Sequence, residues 1–265
     1  MNLKEEFLSC MGAIQYFTRI PIKFRINYNY IKYNSIVYLP FIGIIIGILD
    51  IFLFKGLIII FKEIEIGIIL MMIFHTFITG GLHEDGVSDF VDGFGGGYEK
   101  QKILEIMKDP NIGNFGALSI IYLILLKFIL LKYLFINIGI FFIIFIIIQF
   151  LSRIILIYFM KFLPYARDVG KAKMFESISN GRFWIFQIIY FISLCFILYY
   201  YDSYILLFLI FIIYLIIIYY FFYKLLLSKI DGYTGDTLGA IQQISEIGLY
   251  IVCILYFIYS KNFMI

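Results

Sequence analysis

The chain has 265 residues, 63% of them hydrophobic, with a mean hydropathy of +0.99 and a formal net charge of +3. Soluble domains hold roughly 45–50% apolar residues, so this composition excludes a water-soluble globular protein and indicates an integral membrane protein. The small net charge gives no argument for a nucleic-acid partner. Cys10, Cys195 and Cys253 stand singly, two of them in apolar runs. They form neither a metal-binding pair nor a disulfide framework and read as buried, reduced thiols.

Leu3, Phe7, Met11 and Ile14 recur at helical spacing among polar residues. This predicts an amphipathic helix from Leu3 to Ile20, lying on the membrane or on the helix bundle. Lys4, Glu5 and Glu6 do not make the basic start of a cleavable leader. A bilayer takes about 20 apolar residues per helix. Seven spans are predicted on that basis, at 36–54, 66–80, 116–136, 138–159, 183–201, 203–223 and 246–260. The segment 57–61 extends the first or second span, and the count runs from six to eight. The fold class is therefore all-α, a polytopic integral membrane helix bundle of about seven transmembrane helices. A single domain covers 1–265. With the N-terminus inside, the inner segments carry 15 Lys and Arg and the outer ones 3. The positive-inside rule then puts the N-terminus and every long polar loop on the cytoplasmic side. Gly43 and Gly47 permit close helix contact, within the chain or in a homo-oligomer.

Four polar constellations interrupt this pattern. The first follows the second span: Gly80-Gly81-Leu82-His83-Glu84-Asp85-Gly86-Val87-Ser88-Asp89-Phe90-Val91-Asp92-Gly93. On a helix, Asp85, Asp89 and Asp92 stand at i, i+4 and i+7 and share a face. Carboxylates so placed repel one another unless a cation lies between them. All-oxygen ligands then point to Mg²⁺ or Mn²⁺. The alternative is a solvated loop with incidental acids. His83 reads as a base, as a group behind the ligands, or as a plain interfacial residue. Glycines at 95, 96 and 97 can end the helix and let backbone approach a phosphate.

The second constellation, Leu104 to Gly116, predicts a short helix ended by Pro110, with Gly113 and Gly116 opening the next span. Lys108 and Asp109 there suit a phosphate and a metal loop, or are simply a helix-ending turn. The third is basic. Arg153 lies inside a span and requires a carboxylate or a substrate phosphate as partner. Arg167, Lys171 and Lys173 follow in the 161–182 loop, where topology alone also predicts cations. The fourth is Asp231-Gly232-Tyr233-Thr234-Gly235-Asp236-Thr237-Leu238-Gly239-Ala240. Asp236 or Thr237 caps a helix there, or the helix N-terminus and Thr237 receive a phosphate while Asp236 joins the metal face. The stretch continues to Glu246; Gln242 in it is a further substrate-contact candidate, and Glu246 lies at the membrane boundary. Carboxylates, cations and glycine turns together suit transfer of a phosphate-linked group. No GxxxxGK[ST], GxSxG or HExxH motif is present.

These segments resemble the adenosylcobinamide-GDP ribazoletransferase family, also called cobalamin 5'-phosphate synthase. The resemblance rests on Phe17-Thr18-Arg19-Ile20-Pro21, on Gly81 to Gly86 with Asp92-Gly93, on Ile106 to Asp109 with Gly113 and Gly116, and on Gly232 to Ala240. Pro164 to Arg167 with Gly170-Lys171 fits a fifth piece. Ser88, Phe90-Val91 and Pro110 depart mildly from the pattern. The resemblance implies a Mg²⁺-dependent, multi-pass enzyme of the cell inner membrane. It would join adenosylcobinamide-GDP to α-ribazole, or to its 5'-phosphate, and release GMP. Glu84, Asp85, Asp89 and Asp92 would hold metal, completed by Asp109 or Asp236. Lys108, Arg153, Arg167 and Lys171 would offset phosphate charge, and a carboxylate or His83 would take the proton of the attacking hydroxyl. Partners would be these small molecules and the lipid bilayer, with room for a homo-oligomer or other corrin-pathway enzymes.

Two rival readings compete. A CDP-alcohol phosphotransferase needs Asp-Gly-x-x-Ala-Arg, and Asp85-Gly86-Val87-Ser88-Asp89-Phe90 lacks the Ala-Arg pair. A transporter needs polar residues through several spans. Spans three to six read as almost purely apolar, apart from Gln149, Arg153 and Gln187.

Overall fold

A computed structural model of the protein describes residues 3–23, 35–170, 172–173 and 178–262. Ten α-helices follow one another among the described residues: α1 (Leu3–Phe17), α2 (Leu39–Phe61), α3 (Ile64–Thr79), α4 (Leu82–Gly96), α5 (Lys100–Ile106), α6 (Asn114–Asn137), α7 (Phe141–Phe162), α8 (Asn180–Tyr200), α9 (Ile205–Ile230) and α10 (Gly235–Asn262). Six of them, α2 and α6 to α10, are long and apolar enough to cross a membrane, and the bent pair α3–α4 raises the number to seven. The chain is a polytopic helical membrane protein, as its composition predicts. The central helix is α7, with 72% of its apolar stretch buried, whereas α2, α6, α8 and α9 bury 28% or less and turn large apolar side chains outward. Lipid tails are as apolar as those side chains, so such a surface carries no penalty in a bilayer.

The α3–α4 pair positions the site. Gly80 and Gly81 both take positive φ, 72° and 66°, a conformation open to glycine. The chain turns there by 86°. We read α3 as the span and α4 as lying across the helix ends, outside the spans.

Several boundaries differ from expectation. Residues 57–61 belong to α2, α9 runs on to Ile230, and the last helix starts at Gly235 rather than near 246. Gln242, Gln243 and Glu246 lowered the local hydropathy, yet each is fully buried on α10. The expectation that spans three to six are almost purely apolar also fails. Lys127 of α6 is 7% exposed and forms an ion pair with Glu246 at 2.8 Å, and Lys132 of the same helix pairs with Glu65 at 2.7 Å.

The N-terminal helix α1 buries Ala13 and Ile14 against Ile42, Ile46 and Ile78, while Leu3 and Phe7 face outward. Its Glu6 pairs with Arg182 at the start of α8. Gly43 and Gly47 are used inside the chain. A Cβ at Gly43 would strike the Gln149 carbonyl and Arg153 Cδ of α7, so this small-residue face is covered by α7 and offers nothing to a second copy. All three cysteines are free, but Cys195 is exposed on α8 and only Cys253 is fully buried.

Candidate active site

Among the acids that the spacing puts on one face of α4, Asp85 is exposed and Asp89 and Asp92 are half-buried. A second helix joins them. Gly86 on α4 faces Gly239 on α10 so closely that a Cβ on Gly86 would lie 2.6 Å from the Asp236 carbonyl oxygen and 3.1 Å from Gly239 Cα. This backbone contact brings the first turn of α10, with Asp236, beside Asp85 and Asp89. Burial pushes the Asp89 carboxyl up to about 7, and the charges of Asp236 and Asp85 add to the effect.

The loop after α7 supplies the cation. Residues Tyr165 and Tyr233 form an isolated parallel bridge, in which the Ala166 amide donates to the Tyr233 carbonyl at 2.9 Å and the Tyr233 amide to Pro164 at 3.0 Å. Tied this way, Arg167 places Nη2 2.9 Å from Asp236 Oδ2 and also reaches the Met107 carbonyl beyond α5. Asp85, Asp89, Asp236 and Arg167 therefore share one polar face.

The other predicted residues fall in three groups. Some are tethers. Asp92 accepts from the Gly113 and Gly116 amides, both at 2.8 Å, so it caps α6 with both carboxylate oxygens. Thr237 is fully buried. Its hydroxyl accepts from the Thr234 amide at 2.9 Å and donates to the Thr234 carbonyl at 3.0 Å. The expectation that Thr237 receives a substrate phosphate is corrected by this cap. Others lie in exposed loops. Lys108 follows α5 in a turn, and Asp109 turns back to the amide and side chain of Asn111. Asp109 is not among the charges that act most on Asp89. Lys171 falls outside the described residues.

The third group forms the interior of the bundle. Arg153 is 1% exposed and donates through Nη1 to the carbonyl and side chain of Gln149, at 3.0 and 2.6 Å. Gln149, Gln242 and Tyr250 all donate to Glu246, at 2.8–2.9 Å. Gln242 also donates to Ser152 at 3.1 Å. Arg153 and Gln242 are thus members of a buried network, not groups on the polar face, although Arg153 Nη2 and Gln242 Oε1 are buried with no protein partner. Glu84 links the network to α4. Its Oε1 accepts from Gln243 at 3.0 Å and its Oε2 is buried with no protein partner. His83 is buried, with its backbone against Gly239 of α10, and burial followed by the charge of Arg153 holds its imidazole well below the usual range.

Sequence reasoning missed Asp50, His75 and Lys127. An Asp in α2 and a Lys in α6, each amid apolar residues, were the available signals. Among the described residues, no three His, Cys, Asp or Glu side chains converge as a ready metal-ligand set. What the site offers a divalent cation is donor chemistry. Asp85, Asp89 and Asp236 are neighbouring oxygen donors that repel one another, and the charge of a cation relieves that repulsion.

A helical membrane bundle with carboxylates and an arginine gathered on one polar face defines a membrane-embedded enzyme that handles an anionic group. Comparison with known proteins makes this specific. The Cobalamin-5-phosphate synthase family matches residues 9–254, and the chain belongs to that family. Proteins named adenosylcobinamide-GDP ribazoletransferase are similar over nearly the whole length. That of Leptospira interrogans is 37% identical over 94% of this chain and 96% of its own. That of Shewanella amazonensis is 30% identical over 96% and 97%. That of Clostridium botulinum strain Loch Maree is 34% identical over 91% and 95%. No solved structure matches.

Proposed function

We propose that this chain joins adenosylcobinamide-GDP to α-ribazole, or to its 5'-phosphate, and releases GMP, at the face bounded by Asp85, Asp89, Asp236 and Arg167. The observation that carries the reading is the Gly86–Gly239 contact, which sets carboxylates of two helices beside one arginine. Mg²⁺ or Mn²⁺ fits the all-oxygen donors Asp85, Asp89 and Asp236. When bound, such an ion supplies neutralisation of the diphosphate and of the departing GMP phosphate. Arg167, released in part from Asp236, adds a forked donor for phosphate oxygens. A carboxylate of this face that does not hold the ion would take the proton of the attacking ribose hydroxyl. Lys108 adds positive charge from the turn after α5. The excess of 15 Lys and Arg over 3 supports an inner-membrane protein with this face in the cytoplasm.

The test is GMP release by purified protein in liposomes, with both substrates and Mg²⁺. Release that stops with EDTA and falls at least about 100-fold in Asp89→Asn supports the reading. Metal-independent release, or an Asp89→Asn rate equal to that of the unaltered protein, counts against it.

A further inference from the structure

Behind the acidic helix lies a second polar feature that the transfer site does not use. A cavity of about 170 Å³ opens between α2, α3, α6 and α7, with Asp50, His75, Glu84 and Lys127 in its wall. His75 Nδ1 lies 2.6 Å from Asp50 Oδ2, and the two residues are 5% and 0% exposed. Asp50 Oδ1, His75 Nε2 and Glu84 Oε2 are buried with no protein partner. Leaving such groups unpaired is unfavourable, so the cavity is built to hold something that hydrogen-bonds.

The charges narrow the choice. Lys127 is paired with Glu246, Asp50 with His75, and Glu84 accepts from Gln243, so the charged groups of the wall already have partners within the protein and none is left for a charged occupant. The occupant is therefore neutral. Met71, Leu123 and Phe145 complete the wall, and thioether and aromatic surfaces favour a flat aromatic ring. Size decides between parts of the substrates. An apolar cavity of about 150 Å³ admits a benzene-sized ring, whereas drug-sized ligands occupy about 300 Å³ or more. A space of about 170 Å³ takes one small ring system and excludes a corrin or a nucleoside diphosphate.

Position decides the rest. Glu84 lines the cavity and precedes Asp85, whose Cα is about 3.8 Å from its own. A ring in the cavity thus lies against the same helix that carries the acidic face. The cavity shares Met72, Thr76 and Ile124 with a groove that reaches Arg19 and Gly80 at the α3–α4 turn, which gives a route in.

We infer that this cavity binds the heteroaromatic base of the acceptor nucleoside, with the Asp50–His75 pair hydrogen-bonding a ring nitrogen; the inference rests on the transferase reading above. The test uses the full chain in liposomes and a diazirine derivative of benzimidazole as the photoprobe. Labelling of Met71 to Thr76 or of the 120–131 stretch, blocked by α-ribazole and not by GMP, supports the inference and is read without turnover. Labelling elsewhere, or labelling there that α-ribazole does not block, overturns it. Kinetics give an independent arm. His75→Gln and Met71→Phe should raise KM for α-ribazole about tenfold while KM for adenosylcobinamide-GDP stays within about twofold. Equal shifts in both, or none, overturn the inference even where GMP release upholds the transferase. Absence of GMP release by the unaltered protein refutes the transferase reading instead, and blocked labelling then still supports the base site.

Discussion

Lys127 Nζ of α6 lies 2.8 Å from Glu246 Oε1 of α10, with the two side chains 9% and 0% exposed. Each charge is removed from water and depends on the other, and Gln149, Gln242 and Tyr250 occupy the remaining carboxylate positions. Removing one partner of such a buried pair leaves an uncompensated charge and costs about 3–5 kcal/mol, whereas replacing both with apolar groups is often near neutral. Lys127→Met should therefore unfold at lower temperature in detergent, and Lys127→Met with Glu246→Leu should regain a substantial part of the loss. A double variant no more stable than the single one would show that the amide and phenol donors, not the lysine, hold Glu246.

The Asp89 carboxyl gives a pH dependence with a definite sign. It titrates near 7 in the folded chain, raised by burial and by Asp236 and Asp85, and near 3.9 when unfolded. The folded state then binds more protons between those values, so stability of the metal-free protein falls as pH rises from about 4 to about 7 and levels off above. Thermal unfolding in EDTA from pH 5 to 8 should show this fall, and Mg²⁺ should reduce it at pH 8. Asp89→Asn removes the repelling charge. It should flatten the profile and raise the metal-free Tm while abolishing transfer, a stability gain at the expense of function. A fall of unchanged size in Asp89→Asn would assign the titration to another group.

Much of the fold was legible, for physical reasons. Runs of apolar residues report spans because the bilayer accepts little else, and Asp85, Asp89 and Asp92 share a face by helical period alone. The short helix before Pro110 was legible as local chemistry. What a single sequence hides is which polar groups satisfy one another across helices. Thr237 and Asp92 looked like ligands because their oxygens suit phosphate or metal, yet backbone amides use those oxygens first. Arg153 and Gln242 looked available because helical spacing alone does not show that Gln149 and Glu246, four residues away, are turned to meet them inside the bundle. Asp50 and His75 stand 25 positions apart and on different helices, so neither signals the other.

The contact of α4 with α10 depends on two residues having no side chain. An added methyl at Gly239 would come within 3.1 Å of His83 Cα and O and 3.2 Å of Gly86 Cα, where backbone cannot yield as a flexible side chain does. Gly239→Ala and Gly86→Ala should each separate the helices, move Asp236 away from Asp89, and lower transfer by about 100-fold. Their apparent affinity for Mg²⁺ should fall as well. A variant that keeps its rate would place the working carboxylates on α4 alone.

Asp92 separates a tether from a ligand. Both of its oxygens hold the N-terminus of α6, so Asp92→Asn exchanges one acceptor for an amide that faces a backbone N–H, at a cost of about 1–2 kcal/mol. In the tether role, Asp92→Asn lowers Tm, and the Mg²⁺ concentration for half-maximal transfer stays within about twofold of the original. Asp92→Ala lowers Tm further and leaves that concentration equally unchanged. If Asp92 binds metal, Asp92→Asn instead raises the requirement about tenfold or more, in step with Asp85→Asn. Measuring both quantities on the same preparations decides between the roles, because loss of a cap acts on the folded population and loss of a ligand acts on the folded enzyme itself.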